Sequence, residues 1–214
     1  MYIFQPDRYL LKKQIQAVSG YIKGQVLDVG AGGNDRYGGL FKYEKYLKMD
    51  IVKGENVDVV GSAEAIPFPE ATFDSIVCTQ VFEHLAHPQL CAMEIYRVLR
   101  KDGYAVVTVP QMNELHEEPH DFFRYTRFGL TQLFGDVGFT IIECRERGGF
   151  FSTIAQMKIR YFIDRFALYK HEIIGRIFNF FAKFYGGFSI WLDGVDKSPA
   201  NRKHTIGWCI VLKK

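Results

Sequence analysis

Short apolar runs separated by polar, glycine-bearing breaks dominate the first two thirds of the chain. Val26-Leu27-Asp28-Val29 is apolar but for one acid and closes on Gly30-Ala31-Gly32-Gly33; Tyr46–Asp50 ends on another acid; Asp58–Val60, Phe73–Thr79 and Tyr104–Val109 follow. Runs this short and apolar read as buried strands. Helical spacing fills the intervals. Asp7 is placed to cap a helix through about Ser19, with Leu10, Leu11, Ile15 and Val18 on one face and Gly20 ending it. Val81–Leu85 begins a helix whose later turns, Leu90 to Leu99, set Met93, Ile95, Tyr96, Val98 and Leu99 against a sheet; Asp102-Gly103 turns into the fifth strand, and Pro110 stops it. A polar loop, Gln111–Arg127, leads to a helix from about Phe128 to Val137 and a strand Phe139–Cys144. Strands alternating with helices imply a parallel sheet covered on both faces. From Gly148 the pattern changes to long aromatic-rich helical stretches, and His204–Leu212 closes the chain as a strand.

Strand, glycine loop, irregular connection at Asn34–Phe41 and a second strand ending in Asp50 is the order of a nucleotide-binding unit. Glycines there let the backbone turn sharply and approach a ligand, although a plain turn would use them too. At the carboxyl edge of the sheet, Asp50 is placed to accept both hydroxyls of a ribose; its alternative is an Asp that starts a turn. The dinucleotide fingerprint requires a third glycine, and that position is Asp35. An acid there repels a pyrophosphate, whereas Asp28 suits an amino group, so a nicotinamide dinucleotide is disfavoured.

A length of 214 residues fits one α/β domain with decoration. The net charge of +3 conceals an asymmetry: residues 151–214 hold eleven Lys/Arg against four acids, leaving the remainder net acidic. The 19 Phe and 12 Tyr concentrate late in the chain. Cys78, Cys91, Cys144 and Cys209 show no paired spacing and read as reduced thiols, the usage of a cytoplasmic protein. The first residues lack the basic and apolar regions of a signal peptide, and no run is long enough to span a bilayer.

Six ordered blocks, Val-Leu-Asp-Val-Gly-Ala-Gly at 26–32, Asp50, Gly-Ser-Ala-Glu-Ala-Ile-Pro-Phe at 61–68, Phe-Asp-Ser-Ile-Val at 73–77, Phe-Glu-His-Leu at 82–85 and Glu-Ile-Tyr-Arg-Val-Leu-Arg-Lys-Asp-Gly-Tyr at 94–104, resemble the class I S-adenosylmethionine-dependent methyltransferases over about residues 24–145. The resemblance implies a Rossmann-like, seven-stranded, mostly parallel α/β sheet with helices on both faces and its last strand antiparallel, inserted beside the fifth. It implies a single domain: a core at 1–149, a helical aromatic-rich insertion at 150–197, and the final strand at 198–214. It implies S-adenosylmethionine as cofactor, with Gly30, Ala31 and Gly32 against the methionine portion, Asp28 orienting that loop and the amino group, and Asp50 on the ribose. Ile51 would pack on adenine, Ala63 would present its N–H to that ring between Ser62 and Glu64, and Thr79 and Gln80 would line the methyl donor. Ser62 stands where the family often has a stronger acceptor, an Asp.

Methyl transfer needs an aligned nucleophile and, for a hydroxyl, a base. Glu83 and His84 follow the fourth strand; His116, His120 and Asp121 lie in the loop after the fifth, within Glu118-Pro119-His120-Asp121-Phe122-Phe123-Arg124-Tyr125-Thr126, which resembles an acceptor-bordering loop of related bacterial enzymes. His120, His84 and Asp121 are the candidate catalytic residues; the alternatives are a helix-orienting Glu83, a packed His84 and an Arg124–Asp121 structural pair. His84, His87 and Cys91 have helical spacing, but Pro88 interrupts them, and no metal is expected.

Residues 171–185 are amphipathic, with His171, Glu172, Arg176, Asn179 and Lys183 on one face and Ile173, Ile174, Ile177, Phe178, Phe181 and Phe184 on the other. The apolar face is expected to pack on the core; peripheral membrane contact through 150–191, a homodimer contact and a lid are the alternatives. Nucleic acid is not expected as a partner, because the fourth strand does not end in the signature of base-modifying enzymes. The expected function is methyl transfer to a small-molecule, glycan or lipid-linked acceptor at oxygen; a non-catalytic cofactor-binding partner subunit is the alternative. Asp50→Ala is expected to weaken S-adenosylmethionine binding about tenfold or more in titration calorimetry; unchanged affinity would remove Asp50 from the site.

Overall fold

The computed structural model describes residues 1–33 and 37–214. Its elements are α1 Pro6–Val18, β1 Gln25–Val29, β2 Lys45–Asp50, β3 Val59–Val60, β4 Phe73–Thr79, α2 Pro88–Val98, β5 Leu99–Pro110, α3 Arg127–Val137, β6 Thr140–Arg147, α4 Phe150–Arg165, α5 Glu172–Val195, α6 Pro199–Arg202 and β7 Gly207–Lys213. The chain divides into two compact units: a larger one of residues 15–110, 116–145 and 208–214, and a smaller one of residues 1–14, 111–115 and 146–207.

Among the described residues, seven strands form one Rossmann-like sheet in the order β3-β2-β1-β4-β5-β7-β6. β1 lies between β2 and β4, parallel to both, with Leu27 opposite Leu47 on one side and Ile76 on the other. A central strand covered on both faces must be apolar on both, and Val26, Leu27 and Val29 are fully buried. β7 runs antiparallel to β5: Lys214 N donates to Gly103 O at 3.1 Å, and Gln111 N donates to Ile206 O at 2.8 Å. Cys91, Ile95 and Val98 of α2 and Leu130 and Phe134 of α3 complete the main core.

Several boundaries differ from the sequence pattern for identifiable reasons. The expected helix from Val81 is instead a 3₁₀ turn, Phe82–His84, followed by an extended Leu85 and then α2 with Pro88 in its first turn. Proline lacks an N–H and fits a helix only there, so it divides the segment. β5 begins at Leu99, not Tyr104; Asp102 adopts φ +62°, and the pairing with β4 shifts register between Phe73 and Ser75, so the expected turn is a kink inside one strand. β6 runs on to Arg147. Helix α1 already includes Pro6, and the Asp7 carboxylate, expected to cap it, bonds Arg147. Asn34, Asp35 and Arg36, which include the third-glycine position, lie outside the described residues.

In the smaller unit, Ile3 packs with Ile159, Ile163, Leu168 and Ala182. Side-chain acceptors do much of the joining: Phe4 N donates to Asn179 Oδ1 (2.8 Å) and Asp7 N to Gln156 Oε1 (3.1 Å). Asp193 of α5 accepts from the N–H groups of Gly149, Phe151 and Ser152 at 2.8–3.1 Å, satisfying the otherwise orphaned donors at the start of α4. Of the 171–185 apolar face expected to pack on the core, Phe178 does so, against the Ile3 cluster, but Ile173, Ile174, Ile177, Phe181 and Phe184 are exposed, and α5 buries Gly175, Ala182, Gly186 and Ser189. The N-terminal segment comes so close to α5 that a Cβ on Gly186 would lie 2.7 Å from the Phe4 ring, leaving no room for large side chains. No described helix is long and apolar enough to cross a membrane.

Arg147 is fully buried as a side chain; its Nη1 donates to Asp7 Oδ1 at 2.6 Å and its Nε to Gln14 Oε1 at 3.0 Å. Removing one partner of a buried pair strands the other charge. Arg147→Ala is therefore expected to cost about 3–5 kcal/mol, read as a lowered midpoint in thermal or denaturant unfolding; an unchanged midpoint would show that the pair is not stabilising.

Candidate functional site

The glycine loop is held from three directions in the larger unit. Gly30 N and Ala31 N donate to Met49 O at 2.8 and 3.1 Å, Gly32 N donates to Asp50 Oδ2 at 2.9 Å, and Asn56 Nδ2 donates to Gly33 O at 2.9 Å. Gly30 and Gly32 adopt φ +72° and +66°, a region that favours glycine. Their neighbourhoods differ. A Cβ on Gly30 would overlap Val81 Cγ2, so Val81 occupies the space that glycine leaves; among the described residues, a Cβ on Gly32 would meet nothing within 4 Å. The loop thus has one packed side and one open side.

Asp50 is half-buried at the end of β2. Its Oδ1 accepts from Val52 N at 3.0 Å, so each oxygen holds one backbone donor and retains capacity for a second. Ile51 and Val52, about 70% exposed beside it, form an apolar surface without a protein cover. Asp28 is fixed by Tyr46 Oη, which donates to its Oδ2 at 2.7 Å. Sequence reasoning missed Tyr46, Asn56 and Val81. Tyr46 pairs in register with Val26, two residues before Asp28 on the same face of β1, a signal visible only once strand partners are known.

The 61–68 loop is shaped from α2. Glu94 accepts from Ile66 N at 2.7 Å, and Arg97 donates to the carbonyls of Phe68 and Ile66 while pairing with Glu94; Arg97 holds the Glu94 carboxyl below its ordinary pKa. Ser62 Oγ accepts from Glu64 N (3.1 Å), and the Glu64 carboxylate accepts from His87 N at the start of α2 (2.8 Å). Ala63 is partly exposed between them. At the end of β4, Thr79 is half-buried, and Gln80 takes φ +55° with its Nε2 donating to Thr108 Oγ1 at 3.2 Å.

The turn that follows anchors the polar loop after β5. Phe122 N and Phe123 N donate to Glu83 O at 2.8 and 3.2 Å, Tyr125 Oη donates to Phe82 O at 2.9 Å, and His84 Nδ1 lies 2.6 Å from His120 O. A carbonyl only accepts, so His84 carries its proton on Nδ1. Its Nε2 faces Glu83 Oε1 at 3.9 Å and Glu117 Oε2 at 4.0 Å. His120 is exposed, whereas burial and the nearby Glu83 raise the Tyr125 hydroxyl far above its ordinary pKa. Asp121, 1% exposed as a side chain, receives both terminal nitrogens of Arg124 at 2.6 and 2.7 Å and His116 N at 2.9 Å; the Arg124 hydrogen bonds lower its pKa to about 2.

Glu83, His84 and His116 bring ligand-capable atoms within 4.8 Å of one another, a set with which a divalent cation is compatible. The helical His84, His87 and Cys91 set does not assemble: Cys91 is buried beside Cys78, whose thiol burial pushes up, and His87 lies at the N-cap of α2. An open concavity of about 740 Å³, lined by Gly24, Gly38, Tyr43 and Asp74 among others, lies at the amino ends of β1 and β4, away from the glycine loop.

Residues 27–107 match the family described as a methyltransferase domain. An uncharacterized methyltransferase, YcgJ, of Bacillus subtilis (strain 168) is 30% identical over 96 residues, 37% of this chain and 38% of that protein. The chloroplastic 2-methyl-6-phytyl-1,4-hydroquinone methyltransferase 2 of Oryza sativa subsp. japonica is 39% identical over 67 residues, 31% of this chain and 19% of that protein. The chain thus spans well under half the length of these curated relatives. Among solved structures, a SAM-dependent methyltransferase from Archaeoglobus fulgidus shares the fold at a TM-score of 0.60 and 14% identity, over 97% of this chain and 94% of that one. Residues 27–107 are thus similar to a methyltransferase domain, and the sheet order with its antiparallel β7 belongs to a fold shared with solved S-adenosylmethionine-dependent methyltransferases.

Proposed function

We propose that the protein transfers a methyl group from S-adenosylmethionine to a small-molecule, glycan or lipid-linked acceptor, at oxygen. One observation carries the reading: the His-bearing loop is fastened to Phe82–His84, immediately after the Val81 that fills the space at Gly30. Cofactor-side and acceptor-side residues therefore depend on one short stretch of chain. One relative is named for a hydroquinone, which supports a small hydroxylated acceptor.

The residues present suit the cofactor: the loop is open at Gly32, Asp50 has spare acceptor capacity, and Ile51 and Val52 are uncovered. Asp28 and Gly30 to Gly32 would hold the amino-acid end, Asp50 the ribose, Ile51 and Val52 the face of adenine, Ser62, Ala63 and Glu64 its edge through backbone groups, and Thr79 and Gln80 the methyl end. When bound, S-adenosylmethionine supplies an electrophilic methyl group on a sulfonium. The chain's own part is to align the acceptor hydroxyl and receive the proton it sheds as its oxygen is alkylated. His120 is the proposed base, and His84 fixes the loop that carries it. Asp121, engaged by Arg124 and His116 N, is a positioning residue, because a carboxylate held near a pKa of 2 is a weak base.

S-adenosylhomocysteine release on addition of pooled hydroxylated acceptors is the expected result. Tight cofactor binding with no release across those pools would favour a non-catalytic binding subunit. His120→Ala is expected to lower turnover about a hundredfold or more while calorimetry shows unchanged cofactor affinity; a fully active variant would reject the base assignment. Arg124 keeps the Asp121 pKa below its unfolded value, so the stabilisation is complete above about pH 4 and is lost as pH falls toward about 2. Asp121→Asn should cost at most about 2 kcal/mol at neutral pH and progressively less below pH 4, measured by denaturant unfolding. A stability gap that stays constant through that window would show that the pair's ionisation does not contribute.

A further inference from the structure

A surface helix ordinarily turns its large apolar side chains inward. In α5 the buried residues are instead Gly175, Ala182, Gly186 and Ser189, and the bulk lies outside. Ile173, Ile177, Phe180, Phe184 and Trp191 are between 56% and 77% exposed. At about 100° per residue these five positions share one narrow arc of the helix, and Phe181 adjoins it. Phe162 of α4 and Phe166 at its C-cap, stacked with centroids 6.1 Å apart, add exposed aromatic surface on the neighbouring helix. With aromatic side chains offering roughly 150–250 Å² each, the exposed apolar surface is on the order of 1,000 Å², well beyond the roughly 300–600 Å² of the largest patch on an ordinary soluble monomer.

Charge indicates what covers it. Residues 151–207 contain nine Lys/Arg and four Asp/Glu. Of those acids, Asp193 is engaged in capping α4, and Glu172 pairs with Arg176 at 2.6 Å. Lys183 stands on the flank of the apolar arc, and the Arg165 guanidinium lies over the Phe166 ring at 5.5 Å from its centroid. Pairing with a second copy would bring this cationic surround against itself, whereas anionic headgroups neutralise it while the rings enter the acyl boundary. No described helix is long and apolar enough to cross a bilayer, so α5 would lie along the surface for about 36 Å, taking 1.5 Å per residue. We infer that the exposed face of α4 and α5 docks onto an anionic lipid bilayer, with α5 lying in the headgroup plane. The inference is independent of methyl transfer, because its test requires neither cofactor nor acceptor.

The test is flotation of the full chain with vesicles of phosphatidylcholine containing phosphatidylserine, against phosphatidylcholine alone, at low and high salt. Binding to the anionic vesicles is expected, with loss in high salt. The double variant Phe184→Ser, Trp191→Ser should weaken it by about tenfold or more, and Lys183→Glu should weaken it on anionic vesicles specifically. Both variants alter exposed side chains, so circular dichroism and melting are expected to remain those of the native chain and separate lost docking from misfolding. Failure to float with anionic vesicles would overturn the proposal. So would a dimer in sedimentation that Phe184→Ser dissociates and that does not bind vesicles, since that result assigns the face to a second copy.

Discussion

Val81 lies in the space where any residue at position 30 other than glycine would carry its Cβ. That contact sets how closely the turn after β4 approaches the loop after β1, and both loops lie at the same edge of a parallel sheet. The consequences extend along the chain. Val81 leads into Phe82–His84, whose backbone carbonyls and imidazole hold Phe122, Phe123, Tyr125 and His120. A side chain at position 30 would displace that turn and, with it, the loop that borders the proposed acceptor position. Reactivity by alignment depends on such fixed distances, because displacements of about an ångström are costly to a reaction that relies on orientation.

Electrostatics assign different tasks to the acids around this edge. Asp121 and Glu94 are held as carboxylates by adjacent guanidinium groups and use that charge to organise backbone: Asp121 accepts from His116 N and Glu94 from Ile66 N. Asp50 also accepts backbone donors, but it stands beside uncovered apolar residues with acceptor capacity to spare, which suits a hydroxylated ligand. The difference lies in partners rather than residue type.

The two units are stabilised differently. In the larger, apolar strands bury one face against α2 and α3, and Val26, Val77 and Val106 of the other face are buried as well. In the smaller, the buried apolar cluster is modest, and Asn179, Gln156, Asp193 and Asn201 join segments distant in sequence by accepting backbone N–H bonds. Small residues on the inner face of α5 permit that close approach. The same arrangement turns its large residues outward, so the local packing solution produces the surface on which the lipid-docking inference rests.

Local pattern determined much of this protein. The apolar runs specify the strands of the sheet, the glycine cluster and Asp50 mark the edge where a ligand is proposed to bind, and the ordered blocks fall in the segment that matches a methyltransferase domain, because strand burial and glycine backbone geometry are properties of short stretches of chain. Pro88 and the kink at Asp102 carried local signals as well, although periodicity smoothed over both. Tertiary structure decided the rest. Tyr46 meets Asp28 through strand register, Asp7 leaves its capping position for an arginine 140 residues away, and Glu64 turns its carboxylate to the start of α2. The face that α5 buries was decided there too: amphipathicity identifies an apolar face, but which face lies inward depends on the room left by a neighbouring segment, and Gly186 is small because Phe4 is already there.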